Sequence, residues 1–360
     1  MLYFLSLLFK FIVFIKNYLY DNSYLKIKNL PLPVISIGNL SAGGAGKTPL
    51  ADYLIKYLLS NKKKPAILSR GYGRKSKGIK ILNNKTSRPA TFFGDEAFML
   101  YSKHNIDCVV GVSRYKSAKY LLSKKTVDYF ILDDGLQHRQ LFRDLNIVLL
   151  DASKNKDFYK MLPLGRLRED FTSLKRADII LFTKVNLISQ DKLVEFKKYV
   201  NSKFCIDNVL TCDLDYCLSD FVSDKNTEIN KSMPVVLLSG IANPQVFKKN
   251  ILDKNILVKK HFVYSDHFVY TKSKINDILY YCKNNNITQI ICTEKDWHKL
   301  KEFYELKDFL FYAKLKINFL NNEDLFLNKL LSLGSQSQTI NTIKTGPTSD
   351  KGASLNKADF

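Results

Sequence analysis

One stretch constrains what this chain can fold into more than any other. Val34-Ile-Ser-Ile-Gly-Asn-Leu-Ser-Ala-Gly-Gly-Ala-Gly-Lys-Thr48 begins as a short apolar run and breaks into a glycine-rich turn that closes on Gly-Lys-Thr. Val34, Ile35 and Ile37 suit a buried strand, while Gly43, Gly44 and Gly46 let the backbone turn its N–H groups inward around an anion. Thr48-Pro-Leu-Ala-Asp-Tyr-Leu-Ile-Lys-Tyr-Leu-Leu59 then carries apolar residues at helical spacing, so the turn opens a helix whose N-terminal dipole also favours the anion. Together these parts read as a P-loop formed by Ser41, Ala42, Gly43, Gly44, Ala45, Gly46, Lys47 and Thr48. In such a loop the backbone cradles phosphates, Lys47 serves the β- and γ-phosphates, and the Thr48 hydroxyl serves Mg²⁺. The usual first glycine, five positions before Gly46, is Ser41 here. An ordinary strand-to-helix turn would leave Lys47 unexplained.

At 360 residues and 46% hydrophobic, the chain can fill two domains of ordinary size, and disorder throughout is excluded. Lys and Arg number 56 against 34 Asp and Glu, and the net charge of +22 points to an anionic partner: nucleic acid, an acidic lipid surface or a phosphorylated substrate. The six cysteines form no CxxC pair, which fits a reducing compartment without a zinc site.

The N-terminus narrows the choice. Residues 2–15 are very apolar but interrupted by Lys10 and followed by Lys16, too short between charges for an unbroken span of ~20 residues. Ser6, Lys10, Asn17 and Asp21 share one narrow helical face and apolar residues cover the rest, so the spacing predicts an interfacial helix over residues 1–21. A cleaved signal peptide is the rival reading, and the stretch lacks its basic n-region and small-residue cleavage site.

From Val34 onward strands and helices alternate, as in a mostly parallel sheet covered on both faces. Strands are expected over residues 66–69, 107–111, 129–133, 146–151, 178–183, 209–213, 235–239, 256–262 and 289–293, and helices over 48–59, 113–122, 190–201 and 272–284. The polar, poorly periodic run 213–231 suggests a boundary. The expected division is a P-loop domain over 22–213, a smaller α/β domain over 214–332, and a disordered tail over 333–360, where large apolar residues are few. Between Asp52 and Asp95 there is no acidic residue, yet Lys56, Lys62, Lys63, Lys64, Arg70, Arg74, Lys75, Lys77, Lys80, Lys85 and Arg88 fall there. Such a run is either a solvated face or, beside a membrane-seeking helix, a surface for anionic lipid.

Ile131-Leu-Asp-Asp-Gly-Leu-Gln-His138 puts Asp133 and Asp134 at the end of a buried strand, where a P-loop protein keeps the acid that serves Mg²⁺. A polar turn is the plainer alternative, and which of the two acids would meet the metal stays open. Ser69-Arg-Gly-Tyr-Gly-Arg74 offers two arginines and a tyrosine on a glycine-hinged loop, a ready clamp for an oxyanion or a sugar. Leu162-Pro-Leu-Gly-Arg-Leu-Arg-Glu169 is a rigid basic turn that alone does not choose between structure and function. Thr293-Glu-Lys-Asp296 reads at least as well as a helix cap.

Taken in order, these motifs, with Gly94-Asp-Glu96 and the Asp266-His267 pair, resemble the tetraacyldisaccharide 4'-kinase family of lipid A biosynthesis over residues 1–330. Two departures stand out. Ser265 and Phe268 flank Asp266-His267 where the family has Pro and a second His, and Trp297-His298 replace small and apolar residues. The resemblance implies a P-loop α/β kinase at the cytoplasmic face of a bacterial inner membrane, using ATP and Mg²⁺ to phosphorylate the 4'-hydroxyl of a lipid A disaccharide 1-phosphate. It implies Asp95 as the base with His267 as its partner, beside Lys47; Glu96 joins Thr48, Asp133 and Asp134 as a candidate Mg²⁺ ligand. Arg70, Tyr72 and Arg74 are the candidates for the disaccharide or its 1-phosphate. No nucleic-acid module and no obligate protein partner are expected. A small-molecule kinase or GTPase is one rival, with Thr183-Lys-Val-Asn186 a poor guanine motif; a membrane-recruited P-loop nucleotide switch without a lipid acceptor is the other.

Overall fold

The computed structural model describes residues 1–83, 89–225, 227–266 and 268–344. Lys85 and Arg88 of the basic run, His267, and residues 345–360 of the expected tail lie outside the described residues. The chain opens with α1 (Leu2–Asp21), then β1 (Val34–Asn39), α2 (Lys47–Ser60), β2 (Pro65–Ser69), β3 (Lys80–Ile81), α3 (Pro89–Phe93), α4 (Asp95–His104), β4 (Asp107–Val110) and α5 (Arg114–Leu122). It continues through β5 (Tyr129–Asp133), β6 (Leu145–Asp151), β7 (Ile179–Thr183), α6 (Gln190–Lys203) and β8 (Leu210–Val222). The C-terminal part holds β9 (Val235–Ser239), α7 (Pro244–Leu252), β10 (Val258–Val263), α8 (Lys272–Asn284), β11 (Ile290–Thr293), α9 (Glu294–Leu300), β12 (Leu310–Phe319) and α10 (Glu323–Lys344).

The strands form one sheet in the order β10-β9-β11-β12-β8-β7-β6-β1-β5-β2-β4-β3. Its pairs are parallel except β8 with β12 and β3 with β4. Strand side chains alternate between two cores, which is why the strands read as continuous apolar runs. Ile35, Ile37, Ile67 and Ile131 pack with α2, α4 and α10, where Leu50, Leu54 and Leu58 give α2 its buried stripe. Val34, Leu68, Phe130 and Leu132 face α5, and Val148, Leu150, Ile180 and Phe182 face α6. Each such fully buried side chain contributes about 1.5–3 kcal/mol. β1 lies between β5 and β6, where the chain's connections depart in opposite directions, and its carboxyl end is the place such sheets bind ligands.

Two elements cross the expected domain bounds. β8 runs on to Val222 through the run read as a polar boundary: Leu214, Tyr216 and Leu218 are buried in alternation, and the strand pairs with both β7 and β12. The smaller unit is therefore joined to the larger by two long strands of one sheet. The chain then returns to the P-loop domain, because α10 buries Phe326, Leu330 and Leu333 against the α2 core and Glu323 accepts from the Tyr53 hydroxyl at 2.5 Å. That helix stays regular to Lys344, into the stretch expected to be tail.

Helix α1 docks through its polar stripe. Ser6 Oγ donates to Met161 O at 3.1 Å, Lys10 pairs with Asp170, Asn17 donates to Glu169, and Asp21 pairs with Arg139 and Lys175. Phe4, Leu7, Leu8, Phe11, Ile12, Phe14 and Ile15 are left exposed. The narrow polar face thus holds the protein, and the broad face turned outward is apolar.

Candidate active site

The P-loop is braced from three sides. Gly46 has φ 94°, and a Cβ there would overlap the hydroxyl of Tyr216, which rises from β8 to donate to Gly46 O at 3.0 Å; glycine meets both demands. Thr183 Oγ1 donates to Ala45 O at 3.0 Å, and Lys184 Nζ donates to Gly44 O at 2.7 Å while pairing with Asp151. The Thr-Lys-Val-Asn stretch set aside as a poor guanine motif is thus a prop, with Asn186 donating to Tyr216 O. From the third side, Ala42 N donates to Arg166 O at 2.7 Å and Ser41 bridges to Leu167, which gives the 162–169 turn its structural purpose. At the open top a Cβ at Gly43 or Gly44 would meet nothing within 4 Å, leaving space for phosphates.

The two acids after β5 live in different environments. Asp134, at φ 50°, accepts from both Arg168 nitrogens at 2.7 and 2.8 Å and lies 3.3 Å from Lys47 Nζ. Burial pushes its carboxyl up, but the Arg168 bonds and Lys47 overcome this and hold it well below the usual range. Among the described residues, Asp133 accepts only from Ser69 Oγ, at 3.1 Å. Burial raises it, the charge of Glu96 adds to that, and Lys47 offsets only part, so it is pushed up to about 6. Lys47 also donates to Asn39 Oδ1 at 3.0 Å, and Arg168 shares that same oxygen at 2.8 Å. Asp133 is the carboxylate short of positive charge, while Asp134 already holds two cations.

Gly94 begins α4 at φ 101°, with its Cα side packed on Gly71, so Asp95 and Glu96 are set against the Ser69–Arg74 loop. Asp95 Oδ2 lies 2.6 Å from Lys299 Nζ of α9, and Glu96 Oε1 lies 3.9 Å from Lys295 Nζ. Arg70 and Tyr72 are exposed on that loop. Arg74, the third residue expected at the substrate, donates back to Gly78 O at 2.6 Å and to Ser76 Oγ, where it shapes the loop. Asp296 is fully buried, where it accepts from Thr293 Oγ1 at 2.6 Å, Gly240 N at 2.9 Å and Tyr270 OH at 3.0 Å, which matches the capping reading. Trp297 and His298 fill the core beneath α9, Trp297 against Tyr312 and His298 against Phe98, and burial pushes His298 down to about 3.

One cluster escaped the sequence reading. Burial, with the charges of Arg114, Arg143, Lys16 and Arg70, pushes His138 down to about 4. His138 Nε2 and Arg114 Nε are buried without a hydrogen-bond partner among the described residues. Arg70 follows β2, Arg114 follows β4 and His138 follows β5, while Lys16 comes from α1 and Arg143 from the loop before β6; Arg114 also feels the charges of Asp133 and Asp134. The signal was available: Ser69-Arg70 and Ser113-Arg114 place the same dipeptide after two neighbouring strands.

An open phosphate cradle with its lysine, an acid pair at the end of the neighbouring strand and a basic recess beyond it define a P-loop phosphotransferase. The family model for Tetraacyldisaccharide-1-P 4'-kinase matches residues 1–333. The tetraacyldisaccharide 4'-kinase of Flavobacterium psychrophilum is 38% identical over 344 residues, covering 93% of this chain and 96% of that protein. That of Bdellovibrio bacteriovorus is 32% identical over 319 residues, covering 87% and 93%. The crystal structure of LpxK from Aquifex aeolicus in complex with ATP superposes with a TM-score of 0.73 at 32% identity, covering 91% of this chain and 97% of that one. The chain belongs to the tetraacyldisaccharide 4'-kinase family.

Proposed function

We propose that this chain transfers the γ-phosphate of ATP to the 4'-hydroxyl of a tetraacyl glucosamine disaccharide 1-phosphate at the cytoplasmic face of the inner membrane. The observation that carries the membrane part is a contact: Lys16 of the outwardly apolar helix α1 donates to Gln137 O at 3.1 Å, in the loop that bears Asp133 and Asp134. A lipid held by its acyl chains at α1 therefore presents its headgroup to the acids and the basic recess. An 18-residue window of α1 has a mean hydropathy of 1.6, but the helix's polar stripe is tied to the domain from Ser6 to Asp21, so it lies along the surface as a monotopic anchor.

Phosphoryl transfer needs positioning and charge neutralisation more than covalent help from the protein. The loop backbone and Lys47 bind the phosphates. Mg²⁺, when bound, would neutralise charge developing on the phosphates; Thr48 and Asp133 suit it as hard oxygen donors, because Asp134 is already taken up by Arg168 and Lys47. Asp134, with Arg168 and Lys47 already on it, and Glu96, facing Lys295, serve to orient those lysines and the arginine. Arg70, Tyr72, Arg114 and His138 hold the sugar phosphate. Asp95 takes the proton of the 4'-hydroxyl, with His267 of the smaller unit as its partner, as that oxygen bonds to phosphorus and the bond to the ADP oxygen breaks.

Transfer of labelled γ-phosphate from ATP to purified disaccharide 1-phosphate in detergent micelles tests this, with wild type beside Lys47→Ala. Label is expected in the lipid with wild type alone. ATP binding that depends on Lys47 without any transfer would move the reading to a nucleotide switch.

A further inference from the structure

Helix α9 carries two lysines one turn apart, and each bridges the acidic start of α4 to the segment that follows β10. Lys299 Nζ lies 2.6 Å from Asp95 Oδ2 and donates to Phe268 O at 3.1 Å. Lys295 Nζ lies 2.9 Å from Asp266 Oδ1 and 3.9 Å from Glu96 Oε1. The arrangement repeats with the helical period, so the Asp95-Glu96 pair is matched to Phe268 and Asp266 in register. Exposed ion pairs contribute little, but Lys299 and Asp95 are only 11% and 12% exposed, so neither can relax into solvent.

Both ends of the bridge are rigid. Trp297 and Leu300 are buried beneath α9, and Asp296 clamps its first turn to Gly240 and Tyr270. Gly94 at the head of α4 packs closely on Gly71, where an added Cβ would lie 3.1 Å from the Gly71 Cα, so the entry to α4 is held against the Ser69–Arg74 loop. A third pair extends the contact, since Lys103 of α4 lies 2.6 Å from Glu294 of α9 and 3.0 Å from Asp52 of α2. An ammonium fixed on a rigid helix sets the direction of a carboxylate more tightly than solvent or a mobile chain does.

We infer that Lys299 is a positioning residue for phosphoryl transfer, holding the Asp95 carboxylate and the backbone at Phe268 in one arrangement, with Lys295 doing the same for Glu96 and Asp266. This rests on the reading of Asp95 as the group that takes the acceptor's proton. A positioning residue acts through its partner, so its effect disappears when the partner is gone; a scaffold residue has no such dependence.

The test is a double-mutant cycle on the full-length protein: Asp95→Asn, Lys299→Met, the pair together, and Lys299→Arg. Label transfer gives kcat and the KM for ATP and for lipid, and thermal unfolding is followed alongside. Misplacing a reacting group by about 1 Å costs ~100-fold, so Lys299→Met is expected to lower kcat by ~100-fold with KM for ATP within ~2-fold. In the Asp95→Asn background it should lower the residual rate by less than ~2-fold, and Lys299→Arg should recover at least ~10% of wild-type kcat. Should Lys299→Met not fold, Lys299→Gln, which keeps a donor, must show the same coupling. Equal fold-losses in the two backgrounds, or a Lys299→Met enzyme with wild-type kcat, would overturn the inference while leaving the kinase reading intact. Near-normal turnover by Asp95→Asn would instead remove the role of Asp95 and the inference with it.

Discussion

Arg168 is the residue whose removal separates two ways of binding ATP. In the structure Lys47 is shared between Asn39 Oδ1 at 3.0 Å and Asp134 Oδ1 at 3.3 Å, so it must leave a carboxylate when it turns to a phosphate. Arg168 stays on Asp134 with two bonds of 2.7 and 2.8 Å and keeps that acid neutralised. In Arg168→Met, Lys47 becomes the only cation paired with Asp134 among the described residues, and moving it strands the acid. Two charges 3.3 Å apart attract by about 5 kcal/mol at an effective dielectric of ~20. Asp134 is 36% exposed, so water takes up much of that, and a cost of about 1–2 kcal/mol remains, or roughly 5- to 30-fold weaker ATP binding. Calorimetric titration of ATP into wild type, Arg168→Met, Asp134→Asn and the double variant measures it. The double variant has no carboxylate to strand, so it is expected to bind ATP within ~3-fold of wild type. If it binds as weakly as Arg168→Met, Arg168 meets the nucleotide directly and the reasoning fails.

Two further outcomes follow from buried charge and from α1. Asp52 faces Lys56, Lys103 and His104 at 2.6, 3.0 and 2.6 Å; burial pushes its carboxyl up, but these partners hold it well below the usual range. A depressed carboxyl contributes stability above its unfolded value of about 3.9 and loses it as pH falls toward the folded value. Asp52→Asn should therefore cost about 2–4 kcal/mol in urea unfolding at pH 7, with the gap from wild type shrinking below ~pH 4; an equal gap at pH 3 would refute the assignment. For α1, replacing Phe4, Phe11 and Phe14 by Ser should abolish co-sedimentation with anionic vesicles at unchanged Tm, because these side chains touch solvent. Asn17→Ala with Asp21→Ala should do the reverse, lowering Tm by several degrees while vesicle binding persists, since the Asn17 side chain accepts from Arg139 and donates to Glu169 and the Asp21 carboxylate accepts from Arg139.

The sequence disclosed what is local and hid what is not. Residues 129–133, 235–239 and 272–284 were bounded to the residue because a single apolar period defines each of them. The continuation of β8 was masked by acids: Asp213 and Asp215 make the run look polar, yet Leu214, Tyr216 and Leu218 keep a strict two-residue period. In the site, the P-loop and the acid pair were legible as motifs, whereas the division between Asp133 and Asp134 depends on Arg168, 34 positions along the chain. Arg70 and Arg74 look alike in sequence and differ only because the loop folds Arg74 back on Gly78 O. The His138 recess was missed because its cations are scattered from Lys16 to Arg143 and converge only when β2, β4 and β5 align.

These contacts also explain why the phosphate cradle and the smaller unit belong to one device. Tyr216 supports Gly46 from β8, and that same strand continues to Val222 paired with β12, whose other edge carries β11 and, directly after it, α9. A second line of rigid contact leaves the P-loop helix at Asp52, passes through Lys103 of α4, and reaches Glu294 at the start of α9. Both lines end on the seven-residue helix that presents Lys295 and Lys299 to Glu96 and Asp95. A loop that changed its spacing to admit phosphate would displace Tyr216 or Asp52, and packed interiors transmit such shifts because they have no free volume to absorb them. The smaller unit therefore stands on the same rigid frame as the nucleotide loop, with the proposed base at the junction of its two supports.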